Sequence, residues 1–151
     1  MKNLMVFVLV LLLVSCGTVT PYEAFRKENK QDVALSFGAS RFVLNRFIRD
    51  KEFRKFTKQS GVKKYHILVA KENPKFLKSN FAGFLVKNKY EEIFHTNTSD
   101  GKIYIYSCEK GDKLKEVIVK LEEDSQIIFL SFQGDLKIND FEKLTAFNEV
   151  N

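Results

Sequence analysis

The chain reads as an α+β domain: a mixed, mainly antiparallel sheet with helices packed on one face. Three observations predict it. Strand-like runs and segments of helical period alternate in the order strand, helices, strand, helix, four strands, helix. The last four strands are separated only by Thr98-Ser99-Asp100-Gly101, Gly111-Asp112 and Glu123-Asp124-Ser125, and turns this short join antiparallel neighbours. The helix after Pro74 carries a single apolar face, which a sheet can cover.

Residues 32–37 predict a short first strand, with Gly38 as its turn. A helix follows from about Ala39, in which Val43, Leu44, Phe47 and Ile48 form an i, i+1, i+4, i+5 stripe. Phe53 and Phe56 fall off that stripe. Asp50-Lys51-Glu52 is therefore read as a break, with a second short helix running to about Gln59 and ending at Gly61. Residues 62–70 form the next strand. Asn73 as N-cap and Pro74 at the first helical position start a further helix, where the missing proline N–H costs nothing.

Leu77, Phe81, Phe84 and Leu85 lie on one face of that helix, which runs to about Asn88. Its Gly83 costs up to about 1 kcal/mol relative to Ala, so it is expected to mark a close approach to the sheet. Residues 90–97 and 102–109 pair across the Asp100-Gly101 turn. Residues 114–122 and 126–133 complete the meander, with Val117, Val119 and Leu121 expected to face the apolar side of the helix. Ile127-Ile128-Phe129-Leu130 is apolar on both faces and predicts a central strand. Asn139 or Asp140 then caps a last helix carrying Phe141, Leu144 and Phe147.

The N-terminus has its own logic. Lys2 precedes eleven apolar residues, 4–14, and Ser15 offers a small-residue cleavage site before Cys16. As a helix, eleven residues reach about 16 Å, roughly half of a hydrocarbon core of about 30 Å. A signal peptide fits and a membrane span does not. Leu13-Val14-Ser15-Cys16 resembles a bacterial lipoprotein lipobox, which makes Cys16 the expected lipidation site and acylated N-terminus. The division that follows is a signal peptide over 1–15, a lipidated Cys16 with a tether over 16–30, and the α+β domain over 31–151. Two or three acyl chains anchor a protein durably, because each buried methylene contributes about 0.8 kcal/mol.

Acylation of Cys16 leaves Cys108 as the one thiol, so no intramolecular disulfide is expected. Cys108 lies late in a strand beside Tyr106 and is read as a half-buried small apolar residue. His66 and His95 both sit in strand patterns, outside any i, i+4 pair or Cys/His cluster, so no metal site is readable. No cofactor is expected.

Charge is unevenly placed. Residues 41–64 hold nine basic side chains against Asp50 and Glu52, whereas residues 109–150 hold ten acids and six lysines. Arg41, Arg46, Arg49, Arg54, Lys55 and Lys58 are the candidates for binding an anionic surface, against the plainer expectation of a solvated helix face.

Several of these segments together resemble the bacterial lipoproteins grouped as domain of unknown function 4252. The Cys16 lipobox and the early amphipathic helix carry the resemblance. So do Val62-Lys63-Lys64-Tyr65-His66-Ile67-Leu68-Val69, the Tyr90-Glu91-Glu92-Ile93 opening and the Asp100-Gly101-Lys102-Ile103 hairpin. Phe129-Leu130-Ser131-Phe132-Gln133-Gly134-Asp135-Leu136 completes it. The resemblance covers roughly residues 31–145. It implies an envelope lipoprotein of uncharacterised role and brings no catalytic residues.

The expectation for function is a non-enzymatic, membrane-anchored envelope lipoprotein that binds an envelope protein or an anionic surface such as lipid. No base, nucleophile, metal cluster or phosphate loop is readable. The alternative is a periplasmic small-ligand or lipid carrier, for which Phe42, Phe47, Phe81 and Phe84 would have to line an apolar pocket above about 300 Å3. An enzyme ranks third, and a pocket holding His66 or His95 beside an acid would raise it. Nucleic acid is not an expected partner for an exported chain. By resemblance to the sorting rule of some Gram-negative lipoproteins, Gly17 in place of an Asp implies the outer membrane, and the lack of an acidic cluster just after Cys16 implies its periplasmic leaflet.

Overall fold

The computed structural model describes residues 20–47, 51–72, 74–99, 101–111 and 113–137. The first element falls within the expected tether of 16–30, where Tyr22, Ala24 and Phe25 are the residues expected to dock on the domain if its tail end is ordered. Thr20 caps a helix, α1 (Pro21–Glu28), and Glu23 reaches back to the Thr20 N–H, a full capping box with proline at the first position. Tyr22 and Phe25 stand on its inner side and are buried in the core. Packed structure is therefore present from Thr20, ahead of the expected boundary at residue 31.

A single 3-10 turn (Lys30–Asp32) leads into β1 (Val33–Ser40), which runs through Gly38 where a turn was expected. Next come α2 (Arg41–Phe47), α3 (Lys51–Gln59), β2 (Val62–Ala70), α4 (Lys75–Lys87), β3 (Glu91–Thr98), β4 (Gly101–Lys110), β5 (Lys113–Glu122) and β6 (Ile127–Leu136). All strand pairs are antiparallel, in the order β1-β2-β6-β5-β4-β3. The expected α+β class is the observed one, and β6 lies inside the sheet as its apolar run required. The last helix expected after Asn139 lies outside the described residues, as do Asn73, Ile48 and Arg49.

α1 and α4 lie on one face of the sheet. Phe81 is the hub there, with ring centroids 4.7 Å from Phe129, 5.5 Å from Tyr106 and 5.6 Å from Phe25. Leu68, Leu77, Phe84, Tyr90, Ile118 and Ile127 close the cluster. The register shows why Val117, Val119 and Leu121 are not its partners. Tyr106, Ile118, Ser131, His66 and Gly38 share one row on the helix side. Val117 and Val119 point to the other face, into a second apolar cluster with Val62, Tyr65, Ile105 and Leu136. Both faces of β5 are apolar enough to bury, so alternation alone does not tell them apart.

The start of α4 departs from its expected cap. Pro74 occupies the N-cap position without a side-chain bond, and Asp32, 45 residues earlier, accepts from the Leu77 N–H at 2.8 Å. Gly83 has nothing within 4 Å of where a Cβ would stand, so it is no site of close approach. Gly61 is one: its φ is +75°, and a Cβ there would run into the Asp135 carbonyl.

Candidate functional site

The sheet has one end where several features meet. Gln133 on β6 pairs with Lys64 on β2, and Lys64 pairs with Ser40, the last residue of β1. Gln133 Nε2 donates to Thr20 Oγ1 at 3.1 Å, which fixes the start of α1 over this end. Four peptide steps separate Cys16 from Thr20, a span of at most about 14 Å. Cys16, the expected acylation point, lies outside the described residues, and covalent chain length alone sets its reach from Thr20. Among the described residues no helix is long and apolar enough to cross a membrane.

α2 leaves β1 at this end and α3 returns to β2 at it, so the basic stretch is attached here. Arg41, Arg46, Lys63, Ser40 and Phe42 line a shallow hollow. Phe42 is 79% exposed, with Val43 beside it. Arg46 on α2 and Arg54, Lys55 and Lys58 on α3 are exposed, and Arg41 is half-buried. Arg49 lies outside the described residues. Lys63 and Lys115 flank Asp135 at 2.7 and 2.6 Å and hold its carboxyl well below the usual range.

Beside this surface a cleft of about 380 Å3 opens between α1 and the β1–β2 pair. Glu23, Arg26, Ser40, Lys64, His66 and Gln133 contribute to its walls. His66 is buried, with its Nε2 3.1 Å from Ser36 Oγ, and the same oxygen accepts from Arg26 Nη1 at 2.9 Å. Gly38 leaves room for the imidazole, since a Cβ there would stand 3.1 Å from His66 Cδ2. Burial, with the positive charge of Arg26 added, lowers His66 to about 4, against an upward push from Glu23. His66 is therefore neutral at pH 7. Its Nδ1 and the Nε of Arg26 are buried and make no hydrogen bond among the described residues.

Behind Gln133 lies a buried carboxyl. Glu116 accepts from the Tyr90 hydroxyl, from Ser131 Oγ at 2.6 Å and from Gln133 Nε2 at 2.9 Å. Burial nonetheless raises its pKa above the ordinary range, and the three hydrogen bonds act in the opposite direction. This network was not found in the sequence. Its signal is parity: Glu116 and Ile118 face the same way on β5, so a carboxyl at 116 is inward whenever Ile118 is.

The chemistry available is limited. Ser36 and His66 have the spacing of a nucleophile and its base, but an imidazole held near 4 is a weak base at neutral pH. Among the described residues no acid bonds to its Nδ1. His95 is exposed, with Nδ1 2.8 Å from Glu92 Oε1. Cys108 is half-buried, and burial pushes its thiol up. Among the described residues no group of three or more His, Cys, Asp or Glu could hold a metal ion. Phe81 and Phe84 are interlocked in the core, and Phe42 is exposed elsewhere.

The family model described as domain of unknown function DUF4252 matches residues 26–144. The chain belongs to that family. The match begins inside α1 and spans every strand of the sheet, which agrees with a folded unit that includes the helix. No curated protein matches this DUF4252 chain.

Proposed function

We propose that this DUF4252 protein is a lipid-anchored module of the bacterial envelope that acts by binding, and that it holds the basic end of its sheet against an anionic membrane surface. The outer membrane, on its periplasmic side, is the proposed location. The observation that carries this reading is the position of Thr20: four residues from Cys16, and bonded to Gln133 at the sheet end from which α2 and α3 spring. So short a connection leaves the domain little freedom to stand off from its anchor. Each lysine or arginine near an anionic surface contributes about 1 kcal/mol, and Phe42 is placed to add apolar contact. The closed packing of Phe81 and Phe84 counts against the carrier alternative.

Sedimentation of the unacylated chain, starting at Gly17, with anionic and neutral vesicles tests the electrostatic half of this proposal. Binding to the anionic vesicles alone is expected, lost in about 1 M salt, where the Debye length falls to about 3 Å. Charge reversal at Arg46, Arg54 and Lys58 together should abolish it while the domain stays folded. Equal binding to both vesicle types, or binding to neither, contradicts it.

A further inference from the structure

We infer that the face of the sheet opposite α1 and α4 is the docking surface of the chain's own C-terminal segment, residues 138–151, laid across it as a helix. The register carries one apolar row over all six strands of that face: Phe37, Ile67, Leu130, Val119, Ile105 and Phe94. The next row, from Leu35 on β1 to Ile103 on β4, is apolar as well. A sheet this apolar on both faces calls for a covering layer on each. On this face, among the described residues, the apolar cluster is built of strand residues alone, whereas α1 and α4 cover the other. Leu35, Phe37 and Ile67 are left 58%, 52% and 38% exposed. A contiguous apolar patch of that kind marks a surface that something occupies.

The occupant is named by where the chain goes. Leu136, the last residue of β6, is buried in the cluster on this face, and the Lys137 N–H donates to the Ser60 carbonyl, which fixes the exit of the chain. Residues 138–151 follow, fourteen in all. As a helix they reach about 21 Å, and the way back along β6 from Leu136 to Leu130 is about 20 Å. On such a helix Phe141, Leu144 and Phe147 fall within an arc of about 120°, the width of one packing face. Charge points the same way. Asp140, Glu142 and Glu149 outnumber Lys143 in the segment, and it begins beside Lys63 and Lys115, the two cations that flank Asp135. The family match itself runs on past Leu136 to residue 144, so it takes in Phe141 and Leu144. The inference stands whether or not the basic end of the domain meets a membrane.

The test is photo-crosslinking of the full-length chain, expressed in bacterial cells with p-benzoylphenylalanine in place of Leu144. Adducts within one chain, on Ile67, Val119 or Leu130, are expected when the product is mapped by mass spectrometry. Adducts only to a second copy, to another protein, to lipid or to α1 and α4 overturn the inference, and so does the lack of any adduct. A second measurement reads thiol reactivity. Leu130→Cys should react with a maleimide several-fold faster once Phe141→Asp and Leu144→Asp are added. Cys108, on the opposite face, should keep its rate and so show that the sheet is intact. An unchanged rate at position 130 contradicts the docking.

Discussion

Gln133 Nε2 and Thr20 Oγ1 are 3.1 Å apart, although 113 residues separate them. The same Thr20 oxygen accepts from the Glu23 N–H, so one hydroxyl both caps α1 and receives the sheet. Gln133 passes the connection on to Glu116, and from there to Tyr90 and Ser131. The helix nearest the expected anchor is thus fastened to the middle of the sheet by a polar chain as well as by Tyr22 and Phe25. Thr20→Ala removes the cap and the contact with Gln133 together. A loss of about 1–2 kcal/mol is expected in urea denaturation, and a loss under about 0.3 kcal/mol contradicts this role.

His66 gives the stability a pH dependence of definite sign. Its folded-state pKa of about 4 lies below the ordinary 6.5, so the unfolded chain takes up the proton first as pH falls. Its contribution is full above about pH 6.5 and is lost as pH falls through 4, on the order of 3 kcal/mol in all. Compared by denaturant melts, wild type should therefore lose stability relative to His66→Gln as pH falls through that window. Parallel profiles contradict it.

Gly83 is helical, exposed and free of neighbours within 4 Å of a Cβ. Gly83→Ala should stabilise the domain by about 0.5–1 kcal/mol, since it limits the unfolded chain without meeting anything in the folded one. Thermal melts decide this, and a lowered midpoint would show that the position has a partner.

Phe81 touches Phe25, Phe84, Tyr106 and Phe129 in the main core. Truncation to alanine is expected to cost about 3–5 kcal/mol. A cost below about 1 kcal/mol would mean that this face of α4 does not hold the sheet.

Most strands were legible because their turns are marked and their residues alternate: β2 occupies the expected residues 62–70, and β6 is interior as Ile127-Ile128-Phe129-Leu130 implied. What escaped the sequence depends on contacts distant in the chain. Tyr22 and Phe25 are legible as docking residues, but the helix that carries them is not, because it is held by contacts with Phe81 and Phe84 distant in the chain. Asp32 caps α4 from across the fold, which no local pattern announces. The faces of β5 are not legible because Val117 and Ile118 are equally apolar, and the register chooses between them. His66 was placed on its strand, but its cleft needs Arg26 from α1 and Gly38 from β1. The basic stretch was visible in composition; its attachment at the end nearest Cys16 was not.

The orientation of the domain on its membrane is the central claim, and a single fluorophore measures it. The chain has no Trp, so one introduced indole reports alone. Phe42 stands at the basic end, and Phe76, also exposed, stands at the start of α4 near Asp32. Those two ends of β1 are roughly 23 Å apart. In the acylated protein on anionic vesicles containing brominated lipid, the Phe42→Trp variant should be strongly quenched and the Phe76→Trp variant little affected. Equal quenching of the two, or stronger quenching of the Phe76→Trp variant, would contradict the account.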